Sequence, residues 1–288
     1  MIPETQIQRP EPEQMATLNR IERFAFNIAH YFNSRRWMKS AAQFYLSTLG
    51  AGYVWFLSRK IIHVLGVDNV SSLKPPGGVV IASNHRSFYD QYVLSMILYR
   101  ISSIQKRIYF PVKAEYFYQN FFGVMLNMAA SAMAMYPPIF REPKKRAFND
   151  YSIDCLERIL RQQGSVVGMH PEGTRNKGPD PYKLLKAQPG IGKLVYSARP
   201  TVIPIFINGL RNEFLSQIMR NFVKDSEPIV VIFGKPLDLG TLYEKPAKLR
   251  TYKEVSDYIL EEIKKLGETE RHYREEIRDN PVKGPVFM

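Results

Sequence analysis

The sequence is short of the features that staple or export small proteins. It has a single cysteine, Cys155, so no disulfide can close within the chain. That thiol lies among Ile153, Leu156, Ile159 and Leu160, whose spacing makes one apolar helix face, and is expected to be a packed core group rather than a nucleophile. The opening MIPETQIQRPEPEQ has no basic stretch followed by an apolar run, so it does not read as a secretory signal. With the lone cysteine, this leads to the expectation of a protein in a reducing, cytosol-facing setting. No internal repeat is present. No nucleic-acid recognition module or interleaved aromatic-and-basic stacking surface is recognisable, so no nucleic-acid partner is expected. The composition is also short of acid: 27 Asp+Glu stand against 40 Lys+Arg, a net charge of +13. That balance suits an anionic lipid surface, a phosphorylated substrate or a solvated basic exterior.

The 288 residues are enough to bury a sizeable core without staples. Residues 1–15 read as a disordered lead. Residues 16–74 read as an N-terminal helical, membrane-associating segment. In it Leu18, Ile21, Phe24, Ala25, Ile28, Ala29 and Phe32 fall on one helix face. Arg35, Arg36 and Lys39 then interrupt, and from Ser40 to Ser58 no residue is charged. That run is long enough to be weighed as a membrane span. Its Gln43, Ser47, Thr48, Gly50 and Gly52 make it weakly apolar, and its Tyr45, Tyr53, Trp55 and Phe56 suit an interface, so an interfacial helix is preferred. A buried helix of the globular domain is the other reading.

Pro75-Pro76-Gly77-Gly78 breaks the chain, and an α/β domain is expected over 75–245. GVVIAS (78–83), 108–113, SVVGMH (165–170), 201–207 and 228–233 read as strands, with helices over 87–99, 150–163 and 191–198. This alternation predicts a central, mostly parallel sheet flanked by helices. Residues 116–140, free of charge and rich in Phe, Met and Ala, read as a core helix or the wall of an acyl tunnel. Thr251-x-x-Glu254 has the capping-box form and opens an amphipathic helix, within a C-terminal region 246–288 whose tail reads as loose.

Two motifs sit where open α/β sheets place their ligands, at strand ends. Asn84-His85-Arg86-Ser87-Phe88-Tyr89-Asp90 follows the first strand. An Asp five residues after a His, in the first helical turn, can fix the imidazole tautomer and leave the other ring nitrogen as a base. The same Asp90 also stands at Ser87-x-x-Asp90, a spacing that serves as a helix cap. His170-Pro171-Glu172-Gly173-Thr174-Arg175 follows a later strand. Gly173 permits a tight turn and Arg175 offers a planar cation for phosphate, although an ordinary turn with a surface arginine has the same appearance. His170 reads as structural. Basic runs at 141–146 and 183–193 border these segments and read as solvated charge or as the rim of an anion site.

In this order the segments resemble the glycerophospholipid acyltransferase family, typified by 1-acylglycerol-3-phosphate acyltransferases. Asn84, His85, Ser87 and Asp90 match a first block N-H-x-S-x-x-D, and Pro171–Arg175 match a P-E-G-T-R block in which His170 stands for the usual aromatic. Val202-Ile203-Pro204 is similar to the family's V-I-P core, and Arg141, after Pro138-Ile139-Phe140, to its second-block arginine. The likeness spans about residues 75–240. It implies acyl transfer from acyl-coenzyme A or acyl-acyl carrier protein, as co-substrate, to a hydroxyl of a lysophosphatidate-type acceptor in phospholipid synthesis at the cytoplasmic face of a membrane. His85 would be the base and Asp90 its orienting partner. Asn84, Ser87, Arg141, Glu172, Gly173, Thr174 and Arg175 would bind substrate, with no metal or other cofactor. Glycerol-3-phosphate or another lysolipid is the alternative acceptor, and an inactive lipid-surface scaffold the alternative from another class.

Overall fold

Short runs of β-branched residues, too brief for helices and bounded by breakers, build the centre of the protein. In the computed structural model, which describes residues 7–102, 107–223, 226–282 and 284–288, they form β1 (Ile62–Leu65), β2 (Val79–Ser83), β3 (Arg107–Tyr109), β4 (Val112–Lys113), β5 (Pro138–Ile139), β6 (Ser165–Met169), β7 (Thr201–Asn208), β8 (Ile229–Phe233) and β9 (Val286–Phe287). One sheet has the order β3-β6-β2-β7-β8-β1-β9, and β4 pairs β5 separately. Every pairing is parallel except β7 with β8. The fold is therefore α/β, with a mostly parallel sheet flanked by helices. All five residues of β2 are buried, as a strand covered on both faces requires.

The register positions the chemistry. β2 lies between β6 and β7, pairing Ala82 with Met169 and with Pro204. The segments after Ser83 and after Met169 therefore leave the sheet side by side. Asn84 prolongs the ladder with its side chain: its Nδ2 donates to Ile207 O at 2.9 Å, and Ile207 N donates to its Oδ1 at 2.8 Å.

Several expectations give way to tertiary pairing. The boundary placed at 74/75 cuts through the sheet, because β1 lies before it and pairs with β8. Residues 1–6 of the expected loose lead lie outside the described residues, but the rest is ordered. Ile7 is buried, Tyr151 Oη donates to Gln8 O, and a helix runs Pro12–Ala16. The tail expected to be loose instead continues the Leu249–Asp279 helix, and β9 joins the sheet beside β1. Thr251 does not cap that helix; its hydroxyl donates to Pro246 O inside the first turn. The stretch 108–113 divides between two sheets at Phe110-Pro111, where proline offers no amide for a ladder. Residues 116–140 hold the end of the helix Ala114–Phe117, the whole of the helix Phe121–Ser131, and β5.

The N-terminal helices Arg20–Ser34, Arg36–Tyr45 and Ala51–Ser58 pack on this domain, and a π-helical turn, Leu46–Gly50, joins the last two. Phe26 anchors the first by an edge-on contact with Phe148, with ring centroids 5.1 Å apart. Among the described residues no helix is long and apolar enough to cross a membrane, and the run 40–58 is divided between two helices and the π turn. Cys155 is buried, and burial pushes its thiol up to about 12, as a core residue requires.

Candidate active site

The end of β2 sets the first half of the site. The chain turns through Asn84, His85 and Arg86 into the helix Asp90–Ile101. Asp90 is fully buried at the start of that helix, and its Oδ2 accepts from Arg86 N at 2.8 Å and Ser87 N at 2.9 Å. The same oxygen lies 3.0 Å from His85 Nδ1. A carboxylate only accepts, so Nδ1 carries the proton and Nε2 keeps its lone pair. Asp90 thus serves both of the roles its spacing offers: it braces the loop and orients the imidazole. Burial pushes Asp90 up, to about 6, against the downward pull of charges and amide donors around it. Burial, and then the charges of Arg175 and Lys113, push His85 down to about 3, so the ring is neutral at physiological pH.

The end of β6 sets the second half. Gly173, with a φ of +64°, makes the turn that a side chain would strain. Glu172 is buried under it and accepts from His85 N at 2.9 Å and Leu185 N at 2.7 Å. The two motifs are therefore bonded to each other through this carboxylate.

Between them lies a cavity of about 280 Å³, lined by His85, Gly173, Thr174, Arg175, Arg141 and Lys113 among others. Of the residues expected to bind substrate, Arg141, Gly173, Thr174 and Arg175 face this space. Asn84, Ser87 and Glu172 do not. Each is buried and bonded into the frame, Ser87 through its hydroxyl to Arg211 O at 3.0 Å. Their side chains support the site rather than line it.

Lys113 was missed in the sequence reading. It sits at the end of β4, and burial and then the Arg141 charge lower its pKa. Its position at the end of the 108–113 stretch was the available signal. Asn212 was missed as well. Its Oδ1 accepts from Arg175 at 3.2 Å and from Phe88 N at 3.3 Å, tying the arginine to the first motif.

A second cavity of about 770 Å³ adjoins the first, and Phe88, Gln91, Tyr92 and Met135 line both. Its walls are almost wholly apolar and include Leu46, Leu49 and Gly50 of the π-helical turn, with Val54, Met96 and Leu126. A π turn widens a helix locally and is frequent where a helix borders a ligand space. The N-terminal helices thus build one wall of this chamber.

His85 therefore lines a cation-lined pocket that shares the wall residues Phe88, Gln91, Tyr92 and Met135 with an apolar chamber. Such a pair of spaces fits an amphipathic molecule with an anionic head and a long hydrocarbon part.

Comparison with protein families matches residues 62–208, just over half of the chain, to the family described as Acyltransferase. The fold is similar to the crystal structure of the 1-acyl-sn-glycerophosphate (LPA) acyltransferase PlsC from Thermotoga maritima. That likeness has a TM-score of 0.50 and 16% sequence identity, and covers 86% of this chain and 87% of that one. Comparison with curated proteins gives no match.

Proposed function

The chain belongs to the acyltransferase family, and from that premise we propose that it transfers a fatty acyl group from a thioester donor to the hydroxyl of a lysophosphatidate-type acceptor. The observation that carries this reading is that His85, held by the buried Asp90, lines the cation-lined pocket that adjoins the apolar chamber.

A glycerol hydroxyl is a poor nucleophile at neutral pH, so a base must accept its proton as it attacks. On this reading His85 Nε2 takes that proton and the hydroxyl oxygen bonds to the thioester carbonyl carbon. The tetrahedral intermediate then collapses, the carbon–sulfur bond breaks, and the imidazolium returns the proton to the departing thiolate. Asp90 stabilises the imidazolium in between. Arg175, Lys113 and Arg141 hold the acceptor phosphate, and the apolar chamber takes an acyl chain. The donor thioester is carried by coenzyme A or acyl carrier protein. Positioning two reactants at one base supplies much of the rate.

The test is incubation of the purified protein with acyl-coenzyme A and four acceptors: lysophosphatidate, glycerol-3-phosphate, lysophosphatidylcholine and monoacylglycerol. Products are read by mass spectrometry. Lysophosphatidate is expected to be acylated fastest. Preference for monoacylglycerol would overturn the phosphate assignment, and no product from any acceptor or carrier would favour a scaffold. Arg175→Ala should lower kcat/KM for lysophosphatidate roughly 10- to 100-fold, the range for losing a charged hydrogen bond. Turnover of monoacylglycerol should barely change.

We also propose that the N-terminal helices rest on the cytoplasmic face of a membrane without crossing it. Trp37 (61% exposed), Phe44 (71%) and Leu49 (68%) project from them, and Phe121 (68%) and Phe122 (77%) from the helix Phe121–Ser131. Arg35, Arg36, Arg59 and Lys60 flank this apolar surface with charge suited to anionic headgroups. Removing the helices is no clean test, because they wall the apolar chamber. The double variant Trp37→Glu, Phe44→Glu, at positions that line neither cavity, should lose sedimentation with anionic vesicles while keeping its circular dichroism. Undiminished sedimentation would show that the membrane surface lies elsewhere.

A further inference from the structure

His170 opens the turn that carries Arg175 and lines the cation-lined pocket beside His85, yet its ring nitrogens are turned to the protein frame. Its ring lies flat against His85, with centroids 3.9 Å apart and planes 4° from parallel. The sheet enforces this approach, because His85 and His170 emerge from neighbouring parallel strands whose register pairs Ala82 with Met169.

Both nitrogens of His170 are committed. Nδ1 lies 3.1 Å from each of Ser83 O, Asn84 O and Ser83 Oγ, a hydroxyl that can accept as well as donate. Carbonyl oxygens only accept, so Nδ1 bears a proton. Nε2 lies 3.4 Å from Gln91 Nε2, an amide nitrogen that only donates, so Nε2 bears a lone pair. The surroundings therefore specify one neutral tautomer and one ring plane. Burial and the neighbouring His85 hold the ring's pKa down to about 3, so it stays neutral over the working range.

His85, by contrast, has one side-chain hydrogen bond among the described residues, from Nδ1 to Asp90. A single hydrogen bond at one ring edge leaves the plane free to swing about it. A flat neighbour at van der Waals distance removes that freedom. It also presents a π face when His85 takes a proton, an arrangement that favours the cation.

We propose that His170 is a positioning residue for His85: its clamped, neutral imidazole is a stacking platform that holds the His85 ring in the plane joining Asp90 to the substrate cavity. The kinetic consequence rests on the acyl-transfer reading above; the structural one does not.

Three variants of the full chain separate the platform from the hydrogen bonds. His170→Phe keeps a flat ring and loses both hydrogen bonds. His170→Gln keeps a donor for the carbonyls and loses the ring. His170→Ala loses both. His170→Ala and His170→Gln are expected to lower kcat by about 10- to 100-fold, the cost of a mispositioned reactive group. Their KM values should stay within about twofold, since His170 contributes no phosphate donor. His170→Phe should retain kcat within about threefold.

The companion measurement is the ¹⁵N NMR signal of the His85 Nδ1–H. It should exchange slowly with water in the unsubstituted protein and in His170→Phe, and quickly in the other two. Rescue by glutamine and not by phenylalanine, in either readout, would overturn the platform and assign His170 to bracing the loop. Equal His85 signals in all variants would overturn it too. Should the protein transfer no acyl group at all, the NMR arm still decides, so failure of the proposed function and failure of this inference remain distinct. If His170→Ala does not fold, the phenylalanine and glutamine pair carries the comparison.

Discussion

His85→Ala is expected to keep its fold and to lose acyl transfer by a factor of about 10² to 10⁴, the span attributed to a positioned general base. The fold should survive because, among the described residues, the His85 side chain is hydrogen-bonded to Asp90 alone. Asp90 Oδ2 would keep its two amide donors, Arg86 N and Ser87 N, so no unpaired charge is created in the core. Asp90→Asn should be comparably damaging for a different reason: an amide in that place no longer enforces the Nδ1–H tautomer. Single-turnover measurement on purified protein checks both, and near-normal turnover in His85→Ala would sink the mechanism. The same pair predicts a pH profile. Burial raises Asp90 to about 6, so the carboxylate gains a proton as the pH falls through that value. The protonated acid neither orients Nδ1–H nor stabilises an imidazolium, so kcat/KM should fall on the acid side with a midpoint near 6. His85, held down to about 3, adds no loss of its own until far lower pH. Whatever residual activity His85→Ala retains should lack this acid limb.

Much of this site was legible because its parts are local in sequence. GVVIAS is rich in β-branched and apolar residues, ends at Ser83, and is followed within a few residues by both members of the His–Asp pair. The turn at Pro171–Arg175 repeats that arrangement after β6. What was not legible depends on partners far along the chain. β1 follows the charged pair Arg59-Lys60 and becomes a strand by pairing with β8 and β9, both far along the chain. The end of the Leu249–Asp279 helix looks like solvated charge, yet Glu270 is fully buried, accepting from Tyr182 Oη at 2.7 Å and Arg274 Nε at 2.8 Å. Side-chain direction was equally hidden. Asn84, Ser87 and Glu172 belong to the right motifs but turn into the frame, whereas Lys113, outside any motif, turns into the cavity.

Glu22→Ala is expected to cost about 3–5 kcal/mol of stability, the penalty for removing one partner of a buried ion pair. Glu22 is fully buried on the helix Arg20–Ser34, and its Oε1 lies 2.5 Å from Lys145 Nζ and accepts from Gln119 Nε2 at 2.9 Å. Its Oε2 accepts from Asn19 N at 2.9 Å, closing the capping box of its own helix. One carboxylate thus caps the first long helix and fastens it to the segment carrying Arg141. Without it, Lys145, 4% exposed at its side chain, keeps only Glu142 as an acidic partner. The thermal midpoint should fall by on the order of 10 °C. Glu22→Gln keeps the shape and should lose less. Glu22→Leu with Lys145→Met should recover most of the loss, because paired removal leaves no fully buried charge unpaired, and Glu142, part-exposed, keeps Gln119 and solvent. The loosening should also reach the substrate pocket, since Glu142 bonds both Lys145 and Gln119 and directly follows Arg141. Below its midpoint, Glu22→Ala should therefore show a raised KM for a phosphate-bearing acceptor with kcat little changed. An unchanged midpoint would show that the N-terminal helices are held by apolar packing alone, and an unchanged KM that Arg141 does not depend on this anchor.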